Sequence, residues 1–159
     1  MAATTARTWG VTPVETVRSM SGLEFLSKIR DGELPAPPIA RTLDFDLAEI
    51  EHGRAVFEGM PGAQHYNPIG SVHAGYAATL LDSCMACAVQ STLAQGFGYT
   101  TVEFKINLVR ALTGTTGKVR AEGKVLSGGR RIATAEGALL DQTGKLLAHA
   151  TTTCLIFEL

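Results

Sequence analysis

The residue in this sequence best placed to do chemistry is Asp82. It lies in the run Leu80-Leu81-Asp82-Ser83-Cys84-Met85, apolar on both flanks. A carboxylate is seldom fully buried unless it is paired. One held in such surroundings is a candidate for function. The competing reading is structural, an aspartate that caps or pairs with something across an interface, because perturbed groups gather at functional sites only on average.

Nine residues earlier, His73 is followed by two small residues, Ala74 and Gly75, after the loop Asn67-Pro68-Ile69-Gly70-Ser71-Val72. Small residues at a helix start leave backbone N–H groups open to a ligand, and the helix dipole favours negative charge there. That is the requirement for stabilising an oxyanion. An ordinary helix start with a capping histidine would read the same way. Spacing adds a constraint. At 100° per residue, His73 and Asp82 point to opposite sides of a helix, about 13 Å apart along its axis. They cannot readily serve one small reacting group within one subunit. If both act, two copies must share the site, and a two-fold dimer with antiparallel helices would do so.

Other candidates carry less. Cys84 and Cys87 form a C-x-x-C, but they lie mid-helix among apolar residues, with Cys154 far along the chain. They read as small core hydrophobes rather than redox or zinc ligands. His52, His65 and His149 lack metal-ligand spacing, so no metal or other cofactor is expected. Arg130 and Arg131, after Ser127-Gly128-Gly129, could hold a phosphate; solvated turn charges are the alternative.

These residues need elements to position them. Residues 74 to about 93 contain no proline and no lysine and are apolar all round, which predicts a helix buried on most faces and ending near Gly96. A membrane span is not expected: Asp82 at mid-bilayer would cost about 2.5–3.5 kcal/mol, and basic flanks are missing. After Gly98 the pattern is all strand. Val102, Phe104, Ile106 and Leu108 alternate with Thr101, Glu103, Lys105 and Asn107, predicting one half-buried strand. Three more are expected at about 116–126, 130–140 and 145–157, separated by turn signals. Two further strands are expected between about 40 and 59, joined near Glu51-His52-Gly53. Short turns imply antiparallel pairing. A sheet can hide the long helix only by curling around it. Ahead of this, residues 1 to about 12 read as a disordered lead-in, 14–30 as one helix, and Leu34-Pro35-Ala36-Pro37-Pro38 as a stiff extended connector.

Bulk properties narrow the function. The 159 residues suit one domain, and the net charge of −1, from 14 basic and 15 acidic residues, offers no surplus for nucleic acid. Three cysteines do not make a disulfide framework, and the first residues lack the basic and apolar regions of a secretory signal. A cytoplasmic location is the expectation.

The string Asn67 to Asp82, NPIGSVHAGYAATLLD, resembles the PaaI-type thioesterases of phenylacetic acid degradation. There, Asn, two residues, Gly, two residues and His-Gly-Gly precede a helix bearing Leu-Leu-Asp or Leu-Val-Asp. The similarity runs on through Thr100 to Asn107 and the final strands, covering about residues 35–159. The departure is Ala74, where the family commonly has Gly; the backbone N–H survives, but the methyl narrows the approach.

The resemblance implies an α+β hotdog fold, an antiparallel sheet wrapped around one long central helix. Residues 1–34 would form an N-terminal helical extension and 35–159 the thioesterase domain. It implies metal-free hydrolysis of an acyl-CoA thioester by a homodimer with shared sites, assembled as a dimer of dimers. Asp82 would be general base or nucleophile, and Asn67 would hold the nucleophile or the carbonyl. His73 would orient the thioester, and the N–H of Ala74 or Gly75 would polarise its carbonyl. Thr101 would orient the attacking group; Thr100 is the alternative, because strict alternation puts Thr101 on the polar face. A hydratase or dehydratase of the same fold and a non-catalytic acyl-CoA-binding module are the rival readings. The acyl group itself is left open.

Overall fold

A computed structural model describes residues 7–159. Three short helices come first: α1 (Val14–Arg18), α2 (Gly22–Arg30) and α3 (Pro38–Leu43). They lead into β1 (Phe45–Glu51) and β2 (Arg54–Gly59), the long helix α4 (Ala74–Gln90), and then β3 (Phe97–Leu108), β4 (Val119–Gly128), β5 (Ile132–Leu140) and β6 (Leu146–Glu158). The strands form one six-stranded sheet in the order β1-β2-β4-β5-β6-β3. Every neighbouring pair is antiparallel. The sheet packs its inner face against α4, which is the hotdog arrangement that the resemblance implies.

The core explains α4. Leu80, Leu81, Met85 and Val89 are all fully buried, each contributing about 1.5–3 kcal/mol by leaving water. The sheet lets the helix come close because two strand positions lack a side chain. A methyl built on Gly123 of β4 would stand 2.3 Å from the Cys84 carbonyl carbon and oxygen. One built on Gly137 of β5 would stand 2.9 Å from Met85 Cγ. The helix backbone therefore rests directly on β4 at residues 84 and 85, and its side chains fill the space at Gly137 of β5.

Four expectations change in detail. The predicted helix over 14–30 is two helices. The chain breaks at Ser19–Ser21, and the Ser21 hydroxyl caps α2 by accepting from the Glu24 N–H at 3.2 Å. The break lets Gly22 dock: its N–H donates to Leu93 O at 3.0 Å, and a methyl there would meet Gln90 O at 1.8 Å. The proline-rich connector is extended only to Pro37, since Pro38 opens α3, where its missing N–H costs nothing. The expected strands at 40–59 accordingly begin only at Phe45, after Asp44 turns in the left-handed region at φ 53°. The long helix stops at Gln90 rather than near Gly96.

Part of the expected lead-in, residues 1–6, lies outside the described residues. Its remainder is ordered: Trp9 bridges Ala36, whose N–H donates to Thr8 O at 2.9 Å. Among the described residues, no helix is long and apolar enough to cross a membrane.

Candidate active site

Asp82 lies on α4, half-buried, two to three residues before Cys84 and Met85, where the helix rests on β4 and β5. The Thr101 hydroxyl on β3 donates to its Oδ1 at 2.9 Å. This contact exists because β3 is not a regular strand. Its register against β6 slips between Thr101 and Glu103, leaving Val102 unpaired and 61% exposed. Such a bulge changes the phase of alternation. Before it, Tyr99 and Thr101 face inward, opposite Ile156 and Cys154; after it, Phe104 and Ile106 do, opposite Thr152 and Ala150. Thr101 thus turns toward the helix although strict alternation places it on the polar face. Thr100 is exposed and makes no side-chain hydrogen bond to Asp82.

At the start of α4, His73 is the N-cap, and its Nδ1 accepts from the Gly75 N–H at 2.8 Å. The capping role weighed from the sequence is real, and it occupies one of the two expected oxyanion donors. The Ala74 N–H, at the first helical position, makes no hydrogen bond among the described residues. Asn67 organises its own loop: its Oδ1 accepts from the N–H groups of Ile69 at 3.1 Å and Ser71 at 3.2 Å, and its Nδ2 donates to Ser71 Oγ at 2.9 Å. Gly70 turns this loop at φ 85°. Asn67, His73 and Ala74 together line a cavity of about 310 Å³ with Leu108 to Leu112.

One chain therefore carries two separate groups, Asn67-His73-Ala74 and Asp82-Thr101. Asp82 does not line the cavity beside His73. Arg130 and Arg131 join neither. They stand exposed in the β4–β5 turn, at the end of the sheet where α4 stops: Val125 there donates to Gly53 O, and the Gly53 N–H donates to Ser91 Oγ, the C-cap of α4.

The cysteines are free thiols, with Cys84 and Cys154 buried. Burial pushes the Cys84 thiol well up and Cys87 up to about 12, so neither is poised as a thiolate. No group of three or more metal-ligating side chains occurs among the described residues. Sequence reading missed His65. It is buried, its ring tilts over Tyr76 at 4.5 Å between centroids, and its carbonyl accepts from the His73 N–H at 2.7 Å. It thereby fixes the entry into α4. A lone histidine beside Tyr66 gave no periodic signal.

Residues 69–148 match the family model described as the Thioesterase superfamily. The chain belongs to that superfamily. This thioesterase is a thioester hydrolase, and its PaaI-type character is carried by solved structures. One is a phenylacetic acid degradation-related protein of Ralstonia eutropha, at 28% identity and a TM-score of 0.74, covering 82% of this chain and 98% of the other. A mutant of the phenylacetic acid degradation protein PaaI from Thermus thermophilus is 27% identical, covering 74% and 97%, with a TM-score of 0.67. Smu.793 of Streptococcus mutans, bound to acetyl CoA, is 24% identical, covering 72% and 90%, with a TM-score of 0.66; that likeness concerns the fold alone. Among curated proteins none matches the thioesterase.

Proposed function

We propose that this thioesterase hydrolyses acyl-CoA at a site shared by two copies of the chain, with Asp82 as general base. The observation that carries the proposal is the Thr101–Asp82 hydrogen bond. It fixes one oxygen of a carboxylate in an otherwise apolar stretch and leaves the other free for a water.

The dimer is supported by the sheet. β3 is an edge strand of 12 residues, and Val102, Phe104 and Leu108 on it are exposed. A long apolar edge of this kind is a template for pairing with another chain. Edge-to-edge pairing about a two-fold axis sets the two α4 helices antiparallel. The Ala74 end of one copy then approaches Asp82 of the other, as the axial offset requires. Arg130 and Arg131, at the sheet end that would then face the second copy's helix start, would take the CoA phosphates.

In the reaction, Asp82 takes a proton from the bound water as its oxygen attacks the thioester carbon. The oxyanion is held by the Ala74 N–H and the positive end of the second copy's α4. His73, bonded to Gly75, holds the first turn in shape and presents its other ring nitrogen to the thioester. Asn67 keeps the preceding loop folded and retains one amide hydrogen for the substrate. Collapse breaks the C–S bond, and the proton on Asp82 passes to the departing thiolate.

The test is Asp82→Asn, which keeps the shape and removes the base. Release of free thiol from acyl-CoA should fall about 10²–10⁴-fold in kcat with the fold unchanged by circular dichroism. Turnover near that of the unaltered enzyme rules the mechanism out.

A further inference from the structure

A second cavity, of about 390 Å³, lies between the first helices and the hotdog core. Val17 of α1 and Phe25 and Ile29 of α2 form one wall; Cys87 of α4 and Tyr99 of β3 form the other. No Asp, Glu, Lys or Arg lines it. Its outer wall is fastened rather than draped. Gly22 seats against the Gln90 carbonyl and donates to Leu93 O, and the Gly10 N–H donates to Ala36 O at 3.0 Å.

Asp82 and Thr101 do not line this cavity, but each is followed or preceded within a few residues by one that does. Tyr99 precedes Thr101 by two residues on the same inward face of β3. Cys87 follows Asp82 by five residues on α4, about 7.5 Å along the axis. Burial raises both the Cys87 thiol and the Tyr99 phenol, and the nearby Asp82 charge adds to each. This inner wall therefore lies within range of the Asp82 charge, with Cys87 turned about 140° around the helix from it.

We propose that this cavity is the acyl-tail chamber, that its occupant is an uncharged medium-chain fatty acyl group, and that α1 and α2 set the chain length accepted. The proposal rests on the hydrolase reading of Asp82. Size argues for a chain over a single ring. A cavity of about 150 Å³ suffices for benzene, so a bare ring would fill less than half of this one and a phenylacetyl group about half. The same scale, six carbons in about 150 Å³, gives room for up to about fifteen carbons. The lining is mostly apolar, with polar side chains only at Thr12, Cys87, Gln90 and Tyr99 and no side-chain cation to pair an acid, which favours an uncharged chain. Each methylene taken out of water favours binding about fourfold, so selectivity should grow with chain length until the chamber is full.

The experiment measures kcat/KM for acetyl-, octanoyl-, dodecanoyl- and phenylacetyl-CoA by thiol release, in the intact chain, Val17→Trp and Phe25→Ala. The intact enzyme should prefer octanoyl- or dodecanoyl-CoA over the other two. Val17→Trp, which fills the chamber from α1, should lower the dodecanoyl-to-acetyl ratio at least tenfold. Phe25→Ala should raise the dodecanoyl-to-octanoyl ratio. Ratios are the readout because a misfolded variant loses all substrates together. A preference for acetyl- or phenylacetyl-CoA, or ratios unmoved in both variants, overturns the chamber and leaves the hydrolase reading intact. A turnover unaffected by Asp82→Asn overturns the mechanism instead, and the ratios still score the chamber. If no acyl-CoA is hydrolysed, calorimetric binding of dodecanoyl-CoA decides. At least tenfold weaker binding to Val17→Trp supports the chamber; equal binding, or none to the intact chain, overturns it.

Discussion

Thr101→Val separates the proposed mechanism from a merely structural aspartate. The substitution removes the hydroxyl at nearly constant volume, at a half-buried position. Asp82 Oδ1 then loses the donor that sits 2.9 Å away. A hydrogen bond to a charged group contributes about 1.5–3 kcal/mol. If that is the orienting energy available to the attacking arrangement, kcat should fall between about 10-fold and 150-fold, at 1.36 kcal/mol per factor of ten. KM should change little, because the hydroxyl bonds to the enzyme's own carboxylate. Thr101→Ser restores the donor and should recover most of the rate. Thr100→Val, on the exposed face, should leave the rate within about twofold. The assay is thiol release under saturating acyl-CoA, with melting midpoints as the control for folding. A Thr101→Val enzyme with full kcat, or an equal loss in Thr100→Val, would refute the bulge-based geometry.

Three further outcomes are expected. With Asn67→Ala in one chain and Asp82→Asn in the other, co-expressed in equal amounts, about half the dimers are mixed and each holds one intact site, so activity should recover to about a quarter; no recovery in demonstrated mixed dimers puts both residues in one subunit's site. Gly123→Ala forces a methyl into the α4 backbone, and should cost about 1–3 kcal/mol and lower the melting midpoint by several degrees; an unchanged midpoint contradicts the close seat. Glu122, bonded to Arg54 at 3.1 Å, is held down at about 2 from 4.5. A carboxylate depressed on folding stabilises above its unfolded value and loses that stability as pH falls toward its folded one. The full drop corresponds to roughly 3 kcal/mol, which partial exposure reduces to about 1–2. Glu122→Gln should therefore be less stable than the intact chain at pH 7, with the gap closing between about pH 4.5 and 2; a gap independent of pH denies the ion pair its role.

What could be read in advance followed from which signals are local. α4 was legible because Ala74 to Gln90 is apolar on every face without a breaker, and the four later strands because Gly128, Gly129 and Gly144 punctuate them. The break at Ser19–Ser21 was hidden, since Val17, Met20 and Leu23 keep helical spacing across it; the reason for the break is tertiary, the fit of Gly22 under Gln90. α3 was missed although Pro38 is a helix-start residue, because three prolines in four positions look extended. Thr101 was assigned to the wrong face because one unpaired residue, Val102, shifts the phase, and nothing in the sequence alone marks it. The candidates at the start and the middle of α4, His73 and Asp82, were singled out from residue type. Asn67's engagement in its own loop and Gly75's in the His73 cap could be seen only in three dimensions.

The glycine seats under α4 also bear on how such an enzyme changes over generations. Residues 84 and 85 press on Gly123 and Gly137, so the helix cannot rise or sink there without losing its contact with the sheet. Asp82 stands just before this fulcrum, and its depth is gauged by two absent methyl groups. Cys87 and Gln90 stand beyond it, facing the separately fastened first helices. Mutations on that side can reshape what surrounds them while the carboxylate stays at its height. The fold thus divides the helix into a stretch that inheritance must keep and a stretch on which it can experiment.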